Sequence, residues 1–174
     1  KTSFILEVLD GAASAAVASF PICIGANPDL GPKYAAGDNR TPEGAYRVTE
    51  ILSGDAPPGT SAYDKLAAMN RFLFRAREGH FKFGRPDVDL GRGAYGSRFF
   101  RLSYPNAADR RRLADRRRAG DPARSPGYGI AIHGTNDAPA IGPPASSGCI
   151  RLRNVDVVTL DRWIRVGTPV IIEH

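Results

Sequence analysis

Hydrophobic and polar positions alternate with a period of two in several short stretches of the chain, the period of a half-buried β-strand. Residues 4–9 and 16–24 are β-branched or apolar runs separated by Asp10-Gly11, a dipeptide that accepts the positive φ of tight turns, and they predict an N-terminal β-hairpin. A stretch dense in turn formers, 27–44, leads into Ala45-Tyr46-Arg47-Val48-Thr49-Glu50-Ile51-Leu52, whose alternation predicts the next strand. Phe81 and Phe83, alternating with His80 and Lys82, suggest a strand edge. Further strands are predicted at 128–133 and 170–172, with an extended piece reaching Arg153 after a Gly/Pro-rich loop over 134–148.

Helical signals are fewer. Residues 61–74 have room for one short helix, and 106–120 reads as another with Asn106 as N-cap. The apolar content of the latter is mostly Ala plus Leu113, so it buries little. A third helix is predicted over 154–166, capped by Asn154, carrying Asp156 in its first turn and ended by Gly167. The fold class that follows is mainly β: a small β-sandwich-like domain with two or three short helices, taken as a single domain over 1–174.

Composition agrees. A chain of 174 residues suits one domain with a proper core, and 42% hydrophobic with 24% charged residues excludes whole-chain disorder. With 19 Gly and 14 Pro, about a fifth of the chain favours turns over a helix bundle. The formal net charge of +6 raises the question of nucleic acid. Residues 98–118, however, hold eight Arg and no Lys against Asp109 and Asp115, so that one segment accounts for the whole excess. It has neither interleaved stacking aromatics nor a reading motif, which argues against a nucleic-acid partner. The segment reads as a solvated helix face, or as a basic rim for an acidic substrate.

Two cysteines, Cys23 and Cys149, allow one disulfide at most and form no C-x-x-C pair, so neither a zinc ribbon nor a thioredoxin-type site is encoded, and no metal or cofactor is expected. Cys23, between Ile22 and Ile24, reads as a packed thiol. His80 and His174 stand in polar or terminal stretches and are expected to be solvated. The low-charge stretch 11–28 is broken by Ser14, Ser19 and Pro21, too polar to span a bilayer. The chain opens on Lys1, which leads to the expectation of a processed or trimmed N-terminus with any export signal outside this sequence.

The third histidine is different. His133 ends the run Ile130-Ala131-Ile132-His133-Gly134-Thr135, and sixteen residues later Cys149 stands in Ser146-Ser147-Gly148-Cys149-Ile150-Arg151-Leu152. If both pieces are extended, Ile130, Ile132, Ile150 and Leu152 share the inward faces, leaving His133, Cys149, Arg151 and Arg153 on the opposite ones. That constellation suits a cysteine nucleophile, a histidine that takes its proton or holds it as an ion pair, and a cation for an anionic substrate group. The backbone N–H groups of Gly148 and Cys149 are candidates for an oxyanion site. Thr41-Pro42-Glu43-Gly44 reads as a turn that sets the strand after it.

These residues resemble the signature of L,D-transpeptidase (YkuD-type) catalytic domains, bacterial enzymes of peptidoglycan. The resemblance rests on His133-Gly134-Thr135, its spacing to Ser146-Ser147-Gly148-Cys149-Ile150-Arg151, the stretch Gly37-Asp38-Asn39-Arg40-Thr41-Pro42-Glu43-Gly44, and Leu102-Ser103-Tyr104-Pro105-Asn106, and it covers nearly the whole chain. It implies a thioester formed on Cys149 by attack at the bond between diaminopimelate and the terminal D-Ala of a tetrapeptide stem. The acyl group then passes to an amine of a second stem or a lipoprotein lysine, or to water. His133 would be the base and the carbonyl of Gly134 its orienting group. Gly148, Ser147 and Arg151 would be the substrate- and oxyanion-binding positions, although many members carry a second His where this chain has Ser147. The implied setting is a monomer acting on peptidoglycan stem peptides in the bacterial periplasm or cell envelope. A hydrolytic carboxypeptidase of the same fold, a sortase-like transpeptidase and an inactive peptidoglycan-binding module are the alternatives. Papain-like and NlpC-type enzymes are excluded because their Cys precedes their His.

Overall fold

The alternating run at 45–52 folds as the longest strand of the molecule. In the computed structural model, which describes residues 3–11 and 15–173, the chain begins with the hairpin β1 (Ile5–Leu9) and β2 (Ala16–Pro21), followed by β3 (Gly44–Ser53) and α1 (Ser61–Arg71). A small hairpin, β4 (Phe81–Lys82) and β5 (Arg85–Asp89), precedes β6 (Arg98–Leu102) and α2 (Ala107–Arg118). Then come β7 (Ala131–His133), β8 (Ile150–Arg151), α3 (Asn154–Leu160) and β9 (Pro169–Ile172). The main sheet has the order β8-β7-β6-β3-β9, and β1-β2 and β4-β5 form separate two-stranded sheets. The fold is thus mainly β with three α-helices among the described residues. The Asp10-Gly11 turn is part of a longer connection closed by Asp10 N–H to Ala15 O (2.9 Å), and its residues 12–14 lie outside the described ones.

The sheet divides the interior in two. On one side Tyr46, Val48, Phe100, Leu102, Ile132, Ile150 and Leu152 meet Phe20 of the first hairpin, Ile22, Ile24, and Val157 and Leu160 of α3. On the other, Leu52, Phe99 and Ala131 pack against Leu66 of α1, with Tyr95 and Cys149 at the border. Tyr46, Val48 and Leu52 share one parity in sequence yet contribute to different sides. The reason is a bulge: Val48 pairs with Leu102 but Glu50 with Arg101, so one extra residue in β3 swaps the faces beyond it.

The segment that carries the charge excess contains the strand at the centre of this sheet. β6 is Arg98-Phe99-Phe100-Arg101-Leu102, a strand that the sequence pattern did not predict. Its arginines are neutralised from elsewhere. Buried Arg98 donates to Asp55 (2.6 Å) and Asp161 (2.8 Å), and Arg101 to Glu50 (2.8 Å). The α2 N-terminus follows the expected cap, since Asn106 accepts from Ala108 N–H and Asp109 N–H while Asp109 accepts from Asn106 N–H, a full capping box. The helix buries only Asp109 and Leu113, as its composition foretold.

Three expectations need correction. The third helix stops at Leu160 and continues only as a 3-10 turn over Asp161–Trp163. Its N-cap is Arg153 rather than Asn154, whose side-chain Oδ1 accepts from Ser97 N–H (3.2 Å) across the fold instead. The strand expected at 128–133 is shorter, beginning at Ala131, because Gly127 and Gly129 both adopt positive φ. No helix among the described residues is long and apolar enough to cross a membrane.

Candidate active site

β7 and β8 lie side by side and parallel, with Ile132 opposite Ile150 and His133 opposite Arg151. The alternation therefore sorts the side chains as the pattern requires. Ile130, Ile132, Ile150 and Leu152 enter the larger core, while Cys149 borders the smaller one beside Ala131 and Phe99. A cavity of about 340 Å³ opens on this second side and brings His133, Ser147, Cys149 and Arg151 together with Lys33, Tyr95 and Tyr128. Arg153 points away, paired with Asp156 at 2.6 Å.

His133 is buried, with Phe99 stacked on it at 5.7 Å between ring centres and Tyr95 tilted at 5.3 Å. Its Nδ1 lies 2.6 Å from the carbonyl oxygen of Gly134. A carbonyl only accepts, so Nδ1 carries the hydrogen and Nε2 keeps its lone pair. Burial pushes the imidazole pKa down to about 3, assisted by the Arg151 charge and opposed by the Gly134 bond. Burial likewise raises the Cys149 thiol above its ordinary value, against the backbone contact with Ala131 and the charges of Arg151, Lys33 and Arg101. The thiol donates to Gly129 O at 3.5 Å. Both shifts favour uncharged partners, so the resting site is a thiol beside a neutral imidazole, and of the two forms the sequence left open the ion pair is the disfavoured one.

The loop that carries the thiol is tied down from below. Ser146 Oγ donates to Cys149 O (2.6 Å) and accepts from Gly148 N–H (3.0 Å). The Gly148 amide, one of the two candidates for the oxyanion site, thus already has a partner in Ser146. Thr41 Oγ1 accepts from Gly25 N–H (2.9 Å) and donates to Gly148 O (3.0 Å). Gly148 itself has φ +131°, and a Cβ there would meet Arg40 O at 2.7 Å, so no larger residue fits. Thr41-Pro42-Glu43-Gly44 accordingly does more than start β3, because its first residue props up the cysteine loop. Ser147, exposed, lines the cavity mouth.

Arg151 is anchored by its backbone, which exchanges hydrogen bonds of 2.9 and 2.8 Å with Cys23. Its guanidinium Nε is buried without a hydrogen-bond partner, and among the described residues no carboxylate forms a salt bridge with it. Cys23 is fully buried and both cysteines are free, so Cys23 is the packed thiol that its flanks suggested. Among the described residues no cluster of His, Cys, Asp and Glu is arranged to hold a metal ion.

Several lining residues had no site role in the sequence reading, Tyr95, Lys33 and His80 among them. Tyr95 lies between Phe74 and His133. Lys33 is buried in a 2.7 Å ion pair with Asp38, which also accepts from the N–H groups of Tyr34, Ala35 and Arg40. The expectation that His80 is solvated is corrected, since its ring packs edge-on against Phe74 at 5.0 Å and faces the cavity; His174 lies outside the described residues. Only Asp38, in its run of turn formers, had a local signal that would have found this loop.

Comparison with known proteins adds an independent line. The family model of the L,D-transpeptidase catalytic domain (YkuD) matches residues 1–172. The chain is 28% identical over 156 residues to the Bacillus subtilis protein YqjB, provisionally named an L,D-transpeptidase, covering 86% of this chain and 76% of that one. Among solved structures it is similar to the helical cell shape determining protein Pgp2 from Campylobacter jejuni, with a TM-score of 0.59 and 20% identity over 100% of this chain. It is also similar to Bd1075 from Bdellovibrio bacteriovorus, with a TM-score of 0.55 and 23% identity over 99% of this chain. At such identities these two likenesses are of fold. The chain spans 45% of the length of each of these solved chains.

Proposed function

The chain belongs to the L,D-transpeptidase (YkuD) catalytic-domain family, and from that membership we propose that it is a single catalytic domain of a peptidoglycan L,D-transpeptidase working through a thioester on Cys149. The observation that carries the reading is the shared cavity of Cys149, His133 and the Arg151 guanidinium, which has no salt bridge among the described residues. As Sγ attacks the carbonyl carbon of the diaminopimelate–D-Ala bond, His133 Nε2 takes the thiol proton. The Cys149 amide faces the developing oxyanion. Collapse breaks the C–N bond, the imidazolium protonates the departing D-Ala amine, and the stem remains as a thioester. An acceptor amine then attacks the thioester, passes its proton to His133, and the thiolate leaves and recovers a proton from the imidazolium.

A neutral imidazole suits this cycle, because a base must be empty when attack begins, and the fixed Nδ1–H to Gly134 bond turns Nε2 into the available nitrogen. Arg151 then binds a carboxylate of the stem, whose arrival supplies the counter-charge that its half-buried side chain lacks among the described residues. The acceptor amine belongs to a second stem or a protein lysine, and the work site is the cell envelope. Incubation with disaccharide-tetrapeptide, read by product mass, is the direct test. Loss of D-Ala with a cross-linked dimer is the expected result, and Cys149→Ser is expected to abolish it. Most of the wild-type turnover surviving in Cys149→Ser would overturn the assignment, and a trimmed tripeptide without a dimer would replace the transferase by a hydrolase.

A further inference from the structure

The cavity, at about 340 Å³, is near the lower end of the range that encloses a drug-sized ligand. A stem peptide with its sugars is considerably larger, so part of such a substrate crosses the cavity mouth. Tyr128 lines this cavity and is nevertheless 87% exposed, which places its ring at the mouth. A single exposed aromatic is ordinary on a protein surface. This one stands on an unusual support. Gly127 and Gly129 flank it with φ of +79° and +78°, and between them the backbone turns so that the Gly129 carbonyl meets the Cys149 thiol at 3.5 Å while the adjacent ring stays in water.

The support is also fixed at both ends. Ser125 O accepts from Ala36 N–H (2.8 Å) and Pro126 O from the Tyr104 hydroxyl (2.6 Å) on one side, and Ile130 O accepts from Leu102 N–H (2.9 Å) on the other. A ring one residue from the nucleophile's hydrogen-bond partner, held on a short anchored strap, is a prepared contact surface. Lys33 is already neutralised by Asp38 at 2.7 Å, so the cation at the cavity that can attract a carboxylate of the peptide is Arg151, which has no salt bridge among the described residues. The part of the substrate that the cavity does not enclose, its sugars included, is left to the mouth, where the Tyr128 ring stands.

We propose that Tyr128 determines specificity by stacking against a pyranose ring of the saccharide that carries the stem peptide. The flat face of a sugar presents C–H groups to the negative face of the phenol ring, and the hydroxyl of Tyr128 reaches a sugar hydroxyl. The inference rests on the reading of this site as a peptidoglycan acyl-transfer centre.

The test compares kcat/KM of wild type, Tyr128→Ala and Tyr128→Phe on a disaccharide-tetrapeptide and on the same tetrapeptide without sugar. Tyr128→Ala should lose about five- to tenfold on the sugar-bearing substrate, carried by KM, and less than about twofold on the bare peptide. Tyr128→Phe should keep most of the preference. An equal loss on both substrates, which a purely structural or peptide-contacting ring would produce, overturns the inference and leaves the reading of the site standing, as does no loss on either. If wild type turns over neither substrate, the reading itself falls, and the inference with it.

Discussion

The hydroxyl of Thr41 is a small group on which much of the site depends, and replacing it tests that dependence. Thr41 is 1% exposed, and its Oγ1 accepts from Gly25 N–H at 2.9 Å and donates to Gly148 O, 107 residues further along the chain, at 3.0 Å. Thr41→Val keeps the shape and removes the hydroxyl. Each buried group that loses its partner costs about 1–3 kcal/mol, so the pair costs roughly 2–5 kcal/mol after partial relaxation. That is a large share of a typical domain stability of about 5–15 kcal/mol but leaves the chain folded. For a chain of this size the melting temperature should fall by about 5–15 °C. Gly148 immediately precedes Cys149, so its carbonyl, released from Thr41, lets the thiol drift, and a displacement of about 1 Å lowers turnover by about a hundredfold. Thr41→Ser keeps both hydrogen bonds and loses one methyl group, and it should retain most of the stability and activity. Thermal melts and turnover on disaccharide-tetrapeptide read both effects. If Thr41→Val melts and turns over like wild type, or if Thr41→Ser is as damaged as Thr41→Val, the support assigned to this hydroxyl is wrong.

Three further outcomes are expected. Arg151→Gln should lower kcat/KM by at least about tenfold without reducing the melting temperature, since among the described residues the guanidinium has no salt bridge to lose and its Nε no hydrogen bond; a melting temperature that falls with the activity would make Arg151 a structural residue. His133, at about 3 against an ordinary 6.5, lies in the direction where the unfolded chain holds the proton and the folded one does not, so stability rises with pH across that window and is lost progressively as the solution is acidified below 6.5. Melting temperatures of wild type should therefore drop more between about pH 7 and about pH 4.5 than those of His133→Gln, and parallel slopes would refute the neutral buried imidazole. Arg110, Arg111 and Arg117 are exposed on α2 and form no salt bridge among the described residues. Changing all three to Gln should lower kcat/KM more at low salt than at about 0.1 M salt, where screening acts beyond about 10 Å, and a salt-independent loss would show a structural role instead.

Legibility followed the range of the interactions. The first hairpin, β3, the Asn106 cap and the sorting of His133 and Cys149 away from their isoleucine neighbours all rest on spacings within a few residues, and they are present in the structure. β6 was hidden because Arg98 and Arg101 frame its two phenylalanines, and a charge count along the chain does not see Asp55, Asp161 and Glu50 arriving from other segments. Asn154 looked like a cap and bonds Ser97 instead. His80 looked solvated and turned to the cavity because Phe74 offered it a ring to pack on.

By its own order of residues the chain determined which side chains are able to do chemistry and which side of a strand each takes, because a strand's geometry repeats every two residues whatever surrounds it. Tertiary structure decided their chemical state. Burial disfavours the charged forms of the imidazole and the thiol, Thr41 reaches Gly148 across 107 residues of sequence, and Arg151 stands in a cavity with no salt bridge among the described residues. Desolvation and hydrogen bonding act through space at a few ångströms, and no local pattern records which distant residue will come that close.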